Sequence, residues 1–252
     1  MKGSPVARIE QLLPQARLLG ARSDNAFRTI LDTTSRPGLI ARFIDTQFVG
    51  LPYALVPALA LANVDTRIAV VGRFDGFDGC IADDGSGTVD SSLSLVCRAT
   101  DASPANVPLA DIVTVLNRVD PTVVSALRPG TPEHPERGAR LVLACGGLFA
   151  LPTMCSTDEL GDDVVFLELT GPGVRGTCRV VVVGVPEETF VRLETVNAPP
   201  SCGIDVHLVD PTGRMLSLPR STRMTVLPTS LIHTMPSNSD PLNTTKDRPW
   251  DM

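Results

Sequence analysis

The sequence contains almost no lysine. Among its 252 residues only Lys2 and Lys246 occur, and both lie near the ends of the chain. A Schiff-base enzyme needs a lysine held in a pocket, and a Walker-type phosphate loop needs one beside its glycines. The composition therefore disfavours both chemistries. Arginine supplies the remaining permanent positive charges, and its planar guanidinium suits the recognition of phosphate and carboxylate groups.

Paired cysteines are missing as well. The six cysteines are widely spaced and none forms a Cys-x-x-Cys pair, so neither a zinc ribbon nor a thioredoxin-like site is predicted. The first residues also lack the pattern of a signal peptide. Since disulfide frameworks belong mainly to small secreted chains, we predict a cytoplasmic protein with reduced thiols.

Long apolar runs and an excess of basic charge are absent too. The longest charge-free run, residues 46–64, reaches membrane-spanning length only by including two prolines together with Gln47 and Asn63. The formal net charge of −6 disfavours a dedicated nucleic-acid binder. We therefore predict neither a membrane span nor a nucleic-acid partner.

Helical and strand patterns alternate along the chain. Apolar periodicity predicts helices around residues 9–19, 23–36, 57–62, 109–119 and 186–195. Strands are predicted at residues 39–43, 67–71, 93–97, 140–145, 164–169, 203–209 and 215–218. Because several of these strands are continuously apolar, the pattern predicts an α/β fold with helices packed over a mixed sheet.

Composition divides the chain into three segments. Residues 1–20 are predicted to form a helical extension, residues 21–228 one α/β domain, and residues 229–252 a polar, disordered tail. Within the domain, residues 76–90 are rich in Gly, Asp and Ser, which predicts an exposed loop.

Residues 23–38 are predicted to form a short helix with a sharp end. Ser23 can cap its first turn, and Pro37 followed by Gly38 makes the chain turn. The predicted apolar face comprises Ala26, Phe27, Ile30 and Leu31. Arg28 lies off this face and Arg36 lies at the break, so each is either a solvated side chain or a contact to a ligand or partner.

Three further motifs are weak candidates for chemistry. Residues 171–176 superficially resemble a glycine-rich nucleotide loop, but residues 178–183 after them have a strand-like pattern instead of a helical one, and a tight turn is favoured. In residues 130–137, His134 lies between Glu133 and Glu136 without a second histidine at ligand spacing, so we predict a rigid surface loop and no metal site. His207 lies within a predicted strand, where a hydrogen-bonded histidine at a sheet surface is the simplest interpretation.

A corner at residues 218–224 concentrates groups that can bind an anion. Arg220 and Arg223 flank Ser221 and Thr222, after a proline that restricts the backbone. Such groups bind phosphate or carboxylate through charge-assisted hydrogen bonds. The alternative is an ion-paired corner or a subunit interface, and chemistry alone favours that alternative.

Four separated segments, which we call the first to fourth blocks, form an ordered set of motifs. The first block (residues 27–38) is a Phe-Arg helix followed by Pro-Gly, and the second (residues 130–137) is a Gly-Thr-Pro-Glu corner. The third (residues 169–174) is a Leu-Thr-Gly-x-Gly turn, and the fourth (residues 203–222) joins a Gly-Ile-Asp strand to a Pro-Arg-Ser-Thr corner. In this order and spacing they resemble the PhnH family, the H subunit of the bacterial carbon–phosphorus lyase system.

This resemblance implies a three-layer α/β/α fold similar to that of pyridoxal-phosphate-dependent transferases, but without the cofactor lysine and without a cofactor. It also implies a homodimer that joins subunits G, I and J in the carbon–phosphorus lyase core complex. In that system, subunits G, H, I and L support the attack of a phosphonate on ribose C1 of MgATP, so that adenine leaves and a ribose 1-phosphonate 5-triphosphate forms. Subunit J later breaks the carbon–phosphorus bond.

No catalytic residue is carried over from the family. The candidates for ligand or interface contacts are Arg28, Arg36, Arg220, Thr222 and Arg223. We expect a scaffolding or site-completing subunit for the formation of ribose 1-methylphosphonate 5-triphosphate, without turnover of its own. The alternative is a stand-alone phosphate- or nucleotide-binding protein or transferase that uses the arginines.

Overall fold

The computed structural model describes residues 5–43, 50–72, 91–117, 119–151 and 163–228. The helices within these ranges are α1 (Pro5–Ala16), α2 (Ala21–Ser35), α3 (Val56–Leu61), α4 (Ser91–Thr100), α5 (Thr122–Ala126) and α6 (Glu187–Val196). The strands are β1 (Ala41–Arg42), β2 (Arg67–Val71), β3 (Ser103–Pro104), β4 (Ile112–Val115), β5 (Arg140–Ala144), β6 (Gly147–Ala150), β7 (Val164–Thr170), β8 (Cys178–Val183), β9 (Asp205–Val209), β10 (Arg214–Leu218) and β11 (Arg223–Leu227). Short 3₁₀ turns lie at Tyr53–Leu55, Val107–Leu109 and Pro135–Arg137.

A seven-stranded sheet forms the centre of the fold. Its strand order is β1-β10-β9-β5-β4-β2-β3. Strands β9, β5, β4, β2 and β3 pair in parallel, whereas β10 and β1 continue the sheet in antiparallel pairing. The sheet is therefore mixed, and the predicted α/β class with a mixed sheet is confirmed.

A second sheet, which the sequence patterns do not predict, has four antiparallel strands in the order β11-β7-β8-β6. Leu167 of β7 pairs with Val226 on one side and with Val180 on the other. Residues of this sheet share one hydrophobic core with the central sheet. The central sheet is therefore covered on this face by strands as well as by helices.

The two faces of the central sheet pack against different layers. Ile68 and Val142 belong to the core that includes residues of α1 to α4. Their chain neighbours Ala69 and Leu141 belong to the core that includes the second sheet, α5 and α6. The alternation follows from strand geometry, because successive side chains of a strand point to opposite faces.

Two short apolar segments have structures opposite to the predicted ones. The strand predicted at residues 93–97 is wrong, because this segment lies within α4. The helix predicted at residues 109–119 is also wrong, because β4 occupies its centre. Every residue of β4 is buried, and a short, mostly apolar run fits a buried strand and a helix equally well.

Helix α2 carries the first block and ends at Ser35, before Pro37, as predicted. Gly38 follows with a φ of +97°, a left-handed conformation that favours glycine. The predicted capping role of Ser23 is wrong, because the helix begins earlier and has Gly20 at its N-cap without a side-chain hydrogen bond. The end of this helix is therefore set by the Pro-Gly turn, as the sequence indicates, but its start is not set by a serine cap.

The buried face of α2 also differs from the predicted one. Phe27 and Leu31 are about half exposed, whereas the buried residues of the helix are Ala26, Thr29, Ile30 and Thr33. Thr33 Oγ1 lies 2.7 Å from Ser217 Oγ, which lies 2.8 Å from His207 Nδ1. His207 is thus hydrogen-bonded as predicted, but it is buried and does not lie at an exposed sheet surface.

Most other predicted elements are confirmed within a few residues. These are the strands at residues 67–71, 140–145, 164–169, 203–209 and 215–218, and the helices at residues 9–19, 57–62 and 186–195. The strand predicted at residues 39–43 is reduced to β1. The predicted loop at residues 76–90 and the tail at residues 229–252 lie outside the described residues, and the division into extension, domain and tail stays a prediction.

Candidate functional site

Arg220 joins the second block to the fourth. Its Nε and Nη2 donate hydrogen bonds to the Asp205 carboxylate over 3.2 and 2.8 Å, and its Nη1 donates to the carbonyl of Pro135. Burial alone would raise the pKa of Asp205, but the hydrogen bonds and charge of Arg220 hold that pKa below its usual range. The guanidinium of Arg220 is therefore committed to contacts within the chain.

Two glycines bring the third block against the first and the fourth. Gly173 has a φ of +82°, and a Cβ added to it would lie 2.8 Å from Pro37 Cδ. A Cβ added to Gly171 would lie 2.9 Å from the carbonyl oxygen of Ser221. The predicted tight turn at residues 171–176 is confirmed, and the strand β8 follows it. Together with the Arg220 contacts, these approaches place all four blocks in one continuous part of the fold.

A cleft of about 560 Å³ lies beside the start of β11, and we call it the β11 cleft. Residues 220–225 form one wall, and the end of α6 with the loop at residues 197–202 forms the other. Three of the five predicted contact residues, Arg220, Thr222 and Arg223, line this cleft. The structure therefore places much of the anion-binding corner predicted from the sequence around one open space.

Thr222 and Arg223 differ from Arg220 because their side chains have no hydrogen-bond or ion-pair partner among the described residues. Thr222 is only 4% exposed, and its Oγ1 makes no hydrogen bond to any described residue. Arg223 is exposed, and its guanidinium makes neither an ion pair nor a hydrogen bond with the part of the chain that the structure describes. The Arg223 guanidinium is therefore free to contact a ligand, and Thr222 brings a buried hydroxyl with unused hydrogen-bonding capacity to the same cleft.

Arg28 and Arg36 do not line the β11 cleft. Arg28 is exposed on α2, and Arg36 lies at the C-cap of the same helix. Arg36 Nη2 lies 2.9 Å from Asp32 Oδ1, and both side chains are more than half exposed. The five predicted residues thus fall into a group of three at the cleft and a pair on the surface of α2.

A second cleft, of about 670 Å³, lies at the carboxyl ends of the central parallel strands, and we call it the carboxyl-edge cleft. Asn117, Cys145 and Asp210, which lie just beyond the ends of β4, β5 and β9, line it together with Tyr53. Open α/β sheets commonly bind ligands at this edge. Its place in the topology makes it the second candidate site.

The polar groups of the carboxyl-edge cleft are engaged or unreactive. The buried Asp210 carboxylate accepts hydrogen bonds from the Thr212 backbone N–H over 2.9 Å and from Arg214 Nε over 2.6 Å. Burial raises the pKa of the Cys145 thiol to about 12, so this thiol stays protonated near neutral pH. No described arginine lines the cleft, so its chemistry does not match that of a phosphate site.

The sequence patterns do not single out the residues of the carboxyl-edge cleft. The available signal is position: Cys145 and Asp210 directly follow β5 and β9, and the carboxyl ends of parallel strands meet at one edge. Asn117 lies just beyond β4, which the sequence predicts as part of a helix. Because β4 is not predicted as a strand, the sequence does not predict that these residues lie together at one edge of the sheet.

In the corner at residues 130–137, His134 Nδ1 lies 3.2 Å from Glu136 Oε1 in an exposed contact. In the described ranges, no three His, Cys, Asp or Glu side chains lie close enough together to hold a metal ion. No helix in the described part of the chain has both the length and the apolar character needed to cross a bilayer.

The mixed central sheet, with helices on one face and a second sheet with helices on the other, defines an α/β protein whose four shared motifs pack together. The model of a family described as bacterial phosphonate metabolism protein (PhnH) matches residues 20–225. Because the match covers most of its length, the chain belongs to the PhnH family and has a role in phosphonate metabolism, and the resemblance of the four blocks is confirmed. Comparison with curated proteins gives no match.

Proposed function

We propose that this chain is a scaffolding or site-completing subunit of the carbon–phosphorus lyase core complex, a homodimer that assembles with subunits G, I and J. In this role it supports the formation of ribose 1-methylphosphonate 5-triphosphate from MgATP and methylphosphonate, with release of adenine. The observation that carries the proposal is the family match over residues 20–225.

The contacts of the shared motifs support a structural role. Arg220 holds Asp205 and the second block, and Gly173 allows the third block to approach the end of α2. The motif residues are thus used to build the fold. His207 and Ser217, which lie within hydrogen-bond distance of each other, are both buried and cannot meet a substrate.

The exposed part of the first block supports a role in assembly. Phe27 and Leu31 are 50% and 54% exposed, and their spacing places them on one face of α2. Burying such side chains at an interface is favourable, because it removes apolar surface from water. We propose that this pair contacts the second copy in the homodimer.

We also propose that the fold is a three-layer relative of the pyridoxal-phosphate-dependent transferases that acts without a cofactor. The two lysines, Lys2 and Lys246, lie outside the residues that match the family. A Schiff base requires a lysine positioned in a pocket. The sequence of the matched region, residues 20–225, contains no lysine, which supports a cofactor-free role.

A stand-alone transferase that uses all four arginines is less well supported. Arg28 and Arg36 lie on α2, outside the β11 cleft, and Arg220 is paired with Asp205. Only Arg223 of this set is both at the cleft and unpaired among the described residues. A single free guanidinium supports ligand binding better than it supports group transfer.

The test is a reconstitution with the purified full chain, MgATP and methylphosphonate, with adenine release followed by chromatography. The chain alone should release no adenine and should give no aldimine absorption band with pyridoxal phosphate. Addition of subunits G, I and L should produce turnover, and omission of this chain should abolish it. Turnover by the chain alone, or equal turnover by the other subunits without it, would overturn the proposal.

A further inference from the structure

The β11 cleft is lined by a residue whose buried hydroxyl makes no hydrogen bond to any residue that the structure describes. Thr222 is nearly inaccessible, yet its Oγ1 has no partner among the described residues. Burying a hydroxyl without a hydrogen bond costs free energy, so native structures satisfy nearly all such groups. The backbone N–H of Thr222 already donates to the Pro219 carbonyl over 2.8 Å. The cleft is therefore lined by a residue whose buried hydroxyl has unused hydrogen-bonding capacity.

Arg223, the next residue along the chain, provides an exposed positive charge at the same cleft. Its neighbour Arg220 is fixed by Asp205, whereas the guanidinium of Arg223 has no partner within the described residues. Both arginines line the same cleft, so the corner holds one anchored and one free guanidinium. A free guanidinium next to hydroxyl donors is the usual means of binding an oxyanion, because the planar fork and the hydroxyls donate to several oxygens at once.

We propose that the β11 cleft binds a single phosphate or phosphonate group of a small molecule, with Arg223 and Thr222 as its main contacts. Arg223 donates from its guanidinium, and the hydroxyl of Thr222 donates to a second oxygen of the group. A tetrahedral oxyanion fits this set better than a flat carboxylate does, because its oxygens point in different directions toward donors on separate side chains.

The opposite wall limits what else the ligand can carry. Glu194, Asn197 and Ser201 lie there, so the lining includes one carboxylate besides hydroxyl and amide groups. Glu194 repels a chain of several phosphates, while a ligand with one oxyanion group and a neutral or hydrogen-bond-donating remainder suits the cleft. Ser201 holds a φ of +68°, which is uncommon for a residue other than glycine and fits a loop with a constrained backbone.

This inference does not depend on the proposed role as a subunit. A scaffolding subunit and a stand-alone binding protein can each hold an oxyanion at this cleft. The binding test below uses the full chain without other subunits, whereas the test of the proposed function measures adenine release. Failure of one is therefore distinguishable from failure of the other.

The experiment is isothermal titration calorimetry of the full-length chain in a phosphate-free buffer. Separate titrations use inorganic phosphate, methylphosphonate, acetate and ATP. We expect saturable binding of phosphate, methylphosphonate or both, with the stronger of the two identifying the natural group, and binding at least about tenfold weaker for acetate and ATP. No saturable binding of either tetrahedral anion would overturn the proposal.

Variants assign the site to named side chains. Arg223→Ala should weaken binding by about tenfold or more, and Thr222→Val, which removes the hydroxyl at nearly constant volume, by about threefold to tenfold. Thr222→Ser should retain binding, because it restores the hydroxyl. Arg28→Ala is the matched control, since Arg28 is an exposed arginine outside the cleft, and it should leave binding unchanged.

Two further outcomes would also contradict the site. Equal affinity in Arg223→Ala and the unmodified chain would show that the anion binds elsewhere. Equal losses in Arg223→Ala and Arg28→Ala would show a general effect of positive charge. A thermal unfolding scan of each variant identifies those that fold, and the conservative pair Thr222→Val and Thr222→Ser tests the hydroxyl even if Arg223→Ala is poorly folded.

Discussion

At the scale of single residues, a buried polar chain links helix α2 to the central sheet. Thr33 lies at hydrogen-bond distance from Ser217, which lies at hydrogen-bond distance from His207, and all three side chains are buried. Nε2 of His207 has no hydrogen-bond partner among the described residues. Burial, with a smaller contribution from the charge of Arg140, lowers the pKa of His207 to about 3. The ring is therefore neutral in the folded protein at neutral and mildly acidic pH.

This lowered pKa makes the stability of the protein depend on pH. An unfolded histidine titrates near pH 6.5, so below that pH the unfolded state binds a proton that the folded state rejects. Stability is thus fully present above about pH 6.5 and falls as the pH drops toward about 3. Urea unfolding should show a loss from His207 on the order of 1 kcal/mol per pH unit between pH 6 and pH 4.

His207→Gln removes the titration, so its unfolding free energy should fall less steeply with acid than that of the unmodified chain. His134→Gln is the matched control, because His134 is an exposed histidine, and it should keep the steep profile. Parallel profiles for His207→Gln and the unmodified chain would show that His207 is not the group that titrates.

The neighbouring arginines show how far single residues can be interpreted from the sequence. The corner at residues 218–224 predicts an anion contact or an ion pair. The structure has an ion pair at Arg220, and the guanidinium of Arg223 has no partner in the described part of the chain. The partner of Arg220 is Asp205, which is fifteen positions away and reaches it only when β9 and β10 pair. The pattern identifies the right residue types, but the pairing that separates their roles is a product of the fold.

At the scale of elements, the contact between the turn at residues 171–176 and the end of α2 depends on one glycine. A Cβ at Gly173 would collide with the backbone carbonyl of Ser35 and lie 2.8 Å from Pro37 Cδ. Its φ of +82° adds a conformational cost for any other residue. Gly173→Ala should therefore destabilise the protein by at least about 2 kcal/mol, measured as the free energy of unfolding in urea.

Gly176, in the same turn, is the control for this substitution. It also has a positive φ, +66°, but a Cβ added to it would have no heavy atom within 4 Å. Gly176→Ala should lose only the conformational term, about 1 kcal/mol. If both alanine variants lose the same free energy, the packing of the third block against α2 contributes nothing beyond backbone conformation.

The elements that the sequence predicts well are those with length and clear boundaries. Strand β5 is apolar after Arg140, and β9 is bounded by the Asp210-Pro211 turn; both are found where they are predicted. The runs that become α4 and β4 are short, and their apolar content does not distinguish helix from strand. Their actual structures follow from their places in the fold, with β4 between β2 and β5 and α4 against α1.

At the scale of the whole molecule, the second sheet is the main feature that local patterns miss. Its strand β11 pairs with β7, so that Arg223 lies opposite Thr170 after more than fifty intervening residues. Such pairings are set by which apolar faces meet during folding, and this information is not contained in a local window. The second sheet also supplies the strand that lines the β11 cleft, so the cleft could not be predicted before the fold.

The outer surface of α2 gives the final prediction, which concerns assembly. Phe27 and Leu31 are exposed on one helix face although their apolar spacing is typical of a buried face. If this face forms the homodimer contact, replacing both with serine removes apolar area from each of two copies. Phe27→Ser with Leu31→Ser should therefore weaken dimerisation by at least tenfold, about 1.4 kcal/mol, without lowering the unfolding temperature.

Sedimentation equilibrium over a range of concentrations measures this association, and circular dichroism confirms that the variant is folded. The matched control replaces Val191 and Leu109, which are also about half exposed but lie on α6 and in a 3₁₀ turn. Because the α2 pair is inferred to be covered in the dimer, only its replacement should shift the equilibrium toward monomer. If the dimer persists in the α2 variant but dissociates in the control, the interface involves Val191 or Leu109 instead. An unmodified chain that stays monomeric would exclude the homodimer.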